Sequence, residues 1–306
     1  MTAGEMGVAV ADPPLISVGL PVYNGAKYLD DTISSILAQD VPYLELIISD
    51  NGSTDATRSI IHQRCARDER IRAVFRDDNR GAAWNFNYVL GLAQGEYFHW
   101  SGHDDLMDPS MLRECISALR ETKGAVLAYP RTKIINEHGI LVEEYDNGMH
   151  LTQQDAVLRL KQYLWNVGLA NPILGVFPTK EIRAVGGLGA YPSADLVTLA
   201  RLGLRGQIIE VPEPLFSRRI HEKQSWRDVG FYEGLAHWLD PERRAKIVFT
   251  DWRVFGELLL ACFKEDLPVA QRMRCIAVVL YGWPRRRWRR LIKEILRIGK
   301  PHGIVN

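Results

Sequence analysis

The sequence predicts an α/β fold on a doubly wound, mainly parallel sheet, and three observations lead to it. Four apolar runs of strand length, residues 15–20 (LISVGL), 44–49 (LELIIS), 71–75 (IRAVF) and 97–100 (YFHW), are separated by segments with helical apolar spacing. Each run is followed by a polar or glycine-bearing segment, at the place where an open parallel sheet binds ligands. No internal repeat or low-complexity tract breaks the alternation, which is the pattern of βαβ units.

The elements follow in order. Residues 1–13 read as a loose lead-in ending in a proline pair. After the first strand, residues 26–39 place Tyr28, Leu29, Ile33, Ile36 and Leu37 on one helical face. The second strand leads to a helix from about Thr54, with Ser53 or Thr54 as its cap. A helix over 82–93 follows the third strand, and Pro109 opens another that runs to about Glu121. Two strands, 125–129 and 131–136, precede a turn at Glu137-His138-Gly139. Helices near 153–165 and 194–202 flank a Gly-rich patch at 185–189, and a strand covers 207–211. From Asp240 the chain reads as helical, over 252–263 and 269–280, with a basic segment from Pro284. The expected division is therefore a lead-in (1–13), an α/β domain (14–239) and a helical, basic C-terminal extension (240–306).

Composition narrows the classes. With 46% hydrophobic and 25% charged residues over 306 positions, a disordered or fibrous chain is excluded. No apolar run approaches the ~20 residues that span a bilayer. The opening MTAGEMGVAVADPP lacks the features of an export signal, and the four cysteines never form CxxC. A reducing, cytoplasmic setting without structural zinc or disulfides is expected. The net charge of +1 hides an asymmetry: residues 1–239 carry 23 Lys+Arg against 30 Asp+Glu, whereas 240–306 carry 15 against 7. Such a tail suggests an anionic surface as partner.

The strand ends carry the chemistry. They hold Pro21-Val22-Tyr23-Asn24-Gly25, then Asp50-Asn51-Gly52-Ser53, then Asp78-Asn79-Arg80-Gly81, and finally Ser101-Gly102-His103-Asp104-Asp105. Asp104 and Asp105 suit a hard cation such as Mg²⁺ or Mn²⁺ bound with substrate phosphates; the plain alternative is helix capping. Asp50 can bond a ribose or base, or simply make a turn. Tyr23 can stack on a nucleobase, or pack. The chain has no GxGxxG after its first strand, no GxxxxGK[ST] and no GxSxG, which argues against dinucleotide oxidoreductases, P-loop NTPases and α/β-hydrolases.

Together ISVGLPVYNGAKYLDDTISSILAQ, LELIISDNGSTDATRSII, DDNRGAAWNFNYVLGLAQGEYFHWSGHDDLMDP and SADLVTLARL resemble a family-2 glycosyltransferase of GT-A (Rossmann-like) fold over about residues 14–225. The resemblance implies inverting transfer of a sugar from a nucleoside diphosphate donor, commonly a UDP-sugar, to a saccharide or lipid-linked saccharide hydroxyl, with a divalent metal (Mn²⁺ or Mg²⁺). By position it puts Pro21, Tyr23 and Asp50 around the base and ribose, and Asn79, Arg80 and Gly81 beside the donor. Asp104 matches the last carboxylate of the family's DxD, with Asp105 after it. Gly102 stands in the first DxD position and His103 in the middle. Asp195 matches the general base, with Ala194 replacing the usual preceding acid; capping of its helix is the alternative. Arg218, Arg219 and His221 match a segment near diphosphate and metal, and Asn171 and Gly175 a segment on the acceptor side. Gly102 and Ala194 also leave open a non-catalytic nucleotide-sugar-binding or scaffold module.

In the basic tail, Trp288, Leu291, Ile292, Ile295 and Leu296 recur at helical spacing among arginines. The two readings are an anchor (residues 284–306) on the anionic inner face of a membrane, or a helix packed on the body with a solvated basic face. Nucleic acid is not expected as a partner, because the body is acidic and carries no recognition motif.

Overall fold

The computed structural model describes residues 15–146, 148–221, 233–242 and 249–296. The 1–13 lead-in and the last ten residues of the basic tail lie outside them. The elements are β1 (Ile16–Val22), α1 (Leu29–Leu37), β2 (Leu44–Asp50), α2 (Thr57–Cys65), β3 (Ile71–Phe75), α3 (Ala82–Leu92), β4 (Tyr97–Trp100), β5 (Leu106–Met107), α4 (Met111–Glu121), β6 (Ala125–Ile135), β7 (Leu141–Tyr145), α5 (Ala156–Asn166), a 3₁₀ turn (Asn171–Leu174), β8 (Val176–Pro178), α6 (Thr179–Ala184), α7 (Ala194–Arg205), β9 (Gln207–Arg219), α8 (Glu233–Leu239), α9 (Thr250–Lys264) and α10 (Val269–Leu296).

The strands form one mixed sheet in the order β3-β2-β1-β4-β8-β6-β9-β5, with β7 on β6. Strands β3, β2, β1 and β4 are all parallel, β6 and β9 are parallel along most of their length, and β8, β5 and β7 run antiparallel to their neighbours. Side-chain alternation divides the interior in two. Leu46, Ile48 and Ala128 pack with α1, α2 and α4 on one face. Ile47, Phe98, Trp100, Leu127 and Tyr129 pack with α3, α5, α7, α9 and α10 on the other. This is the doubly wound α/β arrangement expected from the alternating pattern.

Several boundaries differ from the sequence reading, each for a local reason. Helix α2 starts at Thr57, not Thr54: Asp55 Oδ1 accepts from the Thr57 N–H, while Ser53 and Thr54 bond to Asn24 across the neighbouring loop. The pair of strands expected at 125–136 is one strand, and β9 runs well past 211. Both continue through an irregularity in which β9 residues 212–215 face Arg131, so Pro212 and Pro214 sit where no ladder hydrogen bond is required. Helix α10 continues through Pro284, which cannot donate to the Leu280 carbonyl. Its Leu291 is buried, but Trp288, Ile292, Ile295 and Leu296 are exposed, so the five do not form one packed face. All four cysteines are free.

Candidate active site

Because β1, β2 and β4 are parallel, their carboxyl ends open on one side of the sheet. Tyr23 follows β1 with an exposed ring, at 39% of its surface, free to lie against a flat ligand. Pro21 differs from its expected place at the donor: it is buried within β1. Its missing N–H falls on the β4 side, beyond Trp100, where β4 has ended. The β1 and β2 loops are knitted together. The N–H groups of Asn24 and Gly25 donate to Ser53 Oγ and Thr57 Oγ1, and the Thr54 N–H donates to Asn24 Oδ1.

Asp50 is fully buried and makes the turn that was its alternative reading. Its Oδ1 accepts from the Ser53 N–H and its Oδ2 from Arg58 Nε at 2.8 Å, while Arg58 also reaches the Arg76 carbonyl. Arg58 was missed by sequence reasoning; nothing in a helical arginine announces which carboxylate it will meet. The next loop is braced in the same way. Asn79 Oδ1 accepts from Asn51 Nδ2 and from the Gly81 N–H, and Asn51 Oδ1 accepts from the Arg80 N–H. Gly81 has φ +85°, and a Cβ there would run into the Leu239 carbonyl at the end of α8. Arg80 bonds Asp78 and lies 5.2 Å from the Trp84 ring, with Arg76 at 5.3 Å from the same ring. Asn79 and Gly81 are therefore loop braces, and Arg80 has an exposed guanidinium.

The acidic loop is set by β5, which pairs Leu106 with Ser217 and Met107 with Phe216 of β9. Thr32 Oγ1 donates to the carbonyls of His103 and Asp105, fixing the loop on α1; its place on the buried face of α1 was the available signal. His103 lies over Gly25, where an added Cβ would fall 2.7 Å from its ring. His221 Nε2 is 2.9 Å from Asp104 Oδ2. Burial alone would raise the Asp104 carboxyl; the His221 hydrogen bond and the His103 and His221 charges outweigh it and hold it below the ordinary range. Asp105 behaves in the opposite way. Burial and the Asp104 charge push its carboxyl well up, although its Oδ1 accepts from the Arg219 N–H at 3.0 Å.

Among the described residues no group of three or more His, Cys, Asp or Glu side chains is placed to hold a metal ion. The Asp104–His221 pair is the available donor set. It fits a cation that takes its remaining ligands from a diphosphate and water. Asp105 does not fit as a ligand, because it is enclosed and engaged by the β9 backbone.

Strand alternation separates the two arginines of β9. Arg219 is buried: Nε donates to the Asp104 carbonyl, Nη1 reaches the Asn136 and Glu137 carbonyls, and the guanidinium lies 4.6 Å from the Tyr28 ring. It locks the loops together rather than facing a diphosphate. Arg218, on the other side, is half-buried and donates from Nη1 to Asn171 Oδ1 at 2.6 Å. Asn171 is buried, and its Nδ2 has no hydrogen-bond partner among the described residues. At Gly175 a Cβ would fall 2.5 Å from the Ala128 carbonyl, and its own carbonyl bonds His99, so it belongs to the sheet.

Asp195 is the second residue of α7, where the helix dipole favours a carboxylate. The preceding Ser193 is held at φ +63°, an uncommon conformation for a residue with a side chain, which turns the chain into the helix. Burial raises the Asp195 carboxyl, against the Leu196 N–H and the charge of Arg218. The charge of Arg218 works against the rise of both the Asp105 and the Asp195 carboxyls.

With that geometry in hand, likeness to known proteins is informative. Residues 17–165 match the family model described as "Glycosyl transferase family 2". The chain is 34% identical over 145 residues to the putative teichuronic acid biosynthesis glycosyltransferase TuaG of Bacillus subtilis, covering 47% of this chain and 57% of that one. It is 30% identical over 129 residues to chondroitin synthase of Escherichia coli, covering 42% of this chain and 19% of that one. The chain thus spans about half or less of the length of these curated relatives. In fold it is similar to S. aureus TarS 1–349 in complex with UDP, with a TM-score of 0.64 at 16% identity, covering 94% of this chain and 75% of that one.

Proposed function

We propose, from the match of residues 17–165 to the family-2 glycosyltransferase model, that the chain transfers a glycosyl group from a nucleoside diphosphate sugar, a UDP-sugar, to a saccharide or lipid-linked saccharide hydroxyl with inversion at the anomeric carbon. The observation that carries this reading is the Asp104–His221 pair, 2.9 Å apart, with Asp104 following β4 in a chain whose residues 17–165 match the glycosyltransferase family model. UDP is favoured because the TarS structures include complexes with UDP and UDP-GlcNAc; a mannosyltransferase of similar fold (TM-score 0.52) is described with GDP-Man and Mn²⁺.

In this reading each residue has a role. Tyr23 offers its ring to the base. Arg218 faces the charge that grows on the leaving diphosphate. A divalent cation held by Asp104 and His221 would neutralise that charge as a Lewis acid. Asp195 accepts the proton of the acceptor hydroxyl as the new glycosidic bond forms and the bond to the diphosphate oxygen breaks. Its raised carboxyl pKa makes it a stronger base than an open aspartate. Attack from the face opposite the diphosphate inverts the anomeric centre in a single displacement.

Gly102 and Ala194, which stand where the resemblance expects acidic residues, favour a second reading, a module that holds a nucleotide sugar without turning it over. Incubation with UDP-sugars, Mn²⁺ and saccharide acceptors separates the two. Acceptor-dependent release of UDP, lost in Asp195→Asn, supports transfer; nucleotide binding without release under any acceptor supports the module.

A further inference from the structure

The C-terminal helices leave an apolar surface with no partner among the described residues. Of 20 exposed large hydrophobic side chains among the described residues, 11 fall in α9 and α10. On α10, Tyr281, Trp288, Ile292 and Ile295 point away from the body at 63%, 53%, 47% and 48% exposure. Their spacing of seven, four and three residues puts them on one stripe. The opposite side of the same helix is anchored: Cys275, Val279 and Trp283 are buried, Glu294 accepts from the Asp251 and Trp252 N–H groups at the start of α9, and Arg286 donates to the Leu164, Trp165 and Val167 carbonyls at the end of α5. The helix is therefore fixed on the body with its apolar stripe outward. Exposed Arg285 and Arg289 flank that stripe, with Lys293 farther round the same side.

We propose that this face of α10 seats the chain on an anionic lipid surface. A stripe of aromatic and aliphatic side chains bordered by cations matches the acyl boundary and headgroups of such a surface, where apolar burial and electrostatic attraction add. The attachment leads toward Arg218. Arg286 grips the end of α5 at Val167, Trp165 and Leu169 beside it are exposed, and Asn171, which accepts from Arg218, follows four residues after Val167. The proposal stands on the helix itself and does not require the transfer reading.

Co-flotation of the full chain with vesicles of phosphatidylcholine, alone or mixed with phosphatidylglycerol, tests it. Two triple variants accompany the wild type: Trp288→Ser/Ile292→Ser/Ile295→Ser and Arg285→Gln/Arg289→Gln/Lys293→Gln. All six sites are exposed, and unchanged thermal unfolding verifies that the variants fold. The wild type is expected to float with the mixed vesicles and to be released by salt. The serine variant should lose about tenfold or more in binding, and the glutamine variant roughly fivefold per cation removed. Absence of flotation, equal flotation on neutral vesicles, or binding unchanged in either variant would overturn the proposal. So would a wild-type dimer that ignores vesicles and dissociates in the serine variant, since the face would then join two copies.

Discussion

A side chain at Gly102 would place its Cβ 2.6 Å from Asp105 Oδ2 and 3.1 Å from Asp104 Oδ1. Glycine at this position and the inward turn of Asp105 are thus one feature. The carboxylate of Asp105 fills the space that a residue with a Cβ would occupy, and the Arg219 N–H holds it there. What remains for a cation is Asp104 with His221, a smaller donor set than a run of carboxylates provides.

Gly102→Ala is accordingly expected to destabilise the fold by about 1–3 kcal/mol, read as a fall in the urea midpoint with an unchanged slope. An unchanged midpoint would show that the Asp105 carboxyl moves aside freely.

Asp105 also sets a pH dependence. Its folded pKa lies above that of the unfolded chain, so the native state keeps a proton that the unfolded state has lost. The stability this group contributes is complete below the ordinary carboxylate range and is lost as pH rises through the raised value, by at most about 1.4 kcal/mol per pH unit. Asp104, with a lowered pKa, acts in the opposite sense and loses its contribution as pH falls. Asp105→Asn keeps an acceptor for the Arg219 N–H. Urea titrations from acid to mildly alkaline pH should show the decline in the wild type and a flatter curve in the variant. Parallel curves would contradict a raised Asp105.

For Asp195→Asn, UDP release in the presence of an acceptor should fall by about 10²–10⁴, while the thermal shift caused by UDP stays the same. In the wild type the rate should rise with pH through a pKa above the ordinary carboxylate value, because only the ionised form takes the proton. Retained turnover in the variant, or a rate that falls over that range, would assign the base elsewhere.

Much of this molecule is legible in its sequence. The runs that became β1, β2 and β4 are mostly apolar because those strands are covered on both faces, whereas the edge strand β3 is only partly covered, and the polar residues after them cluster because parallel strands end on one side. Prolines hid the rest. Pro212 and Pro214 read as the end of a strand, yet they sit in an irregularity and β9 resumes behind them. Had that continuation been assumed, period-two alternation would have separated a half-buried Arg218 from a buried Arg219. The partner of Asp50 was hidden for another reason: Arg58 is eight residues away, on a helix whose sequence does not reveal which side chain turns back to the strand end.

Arg159 gives a test of packing away from the crevice. Its guanidinium is buried and donates to the carbonyls of Gln153, Gln154, Gly203 and Leu204, tying α5 to the end of α7. Arg159→Met keeps the side chain's bulk but leaves those acceptors unmet. A loss of about 3 kcal/mol or more is expected, measured by urea unfolding. A loss below about 0.5 kcal/mol would mean that water or the backbone satisfies them.

The donor crevice itself is tested most directly by nucleotide-induced thermal stabilisation of the full chain, with UDP, GDP and dTDP each supplied with Mn²⁺. A nucleotide at a hundred times its Kd should stabilise the wild type by about 2.7 kcal/mol, with UDP giving the largest rise in Tm. Asp104→Asn and Arg218→Gln should lose most of that rise. No shift with any of the three nucleotides, or an equal shift in the wild type and both variants, would contradict a diphosphate site at Asp104, His221 and Arg218.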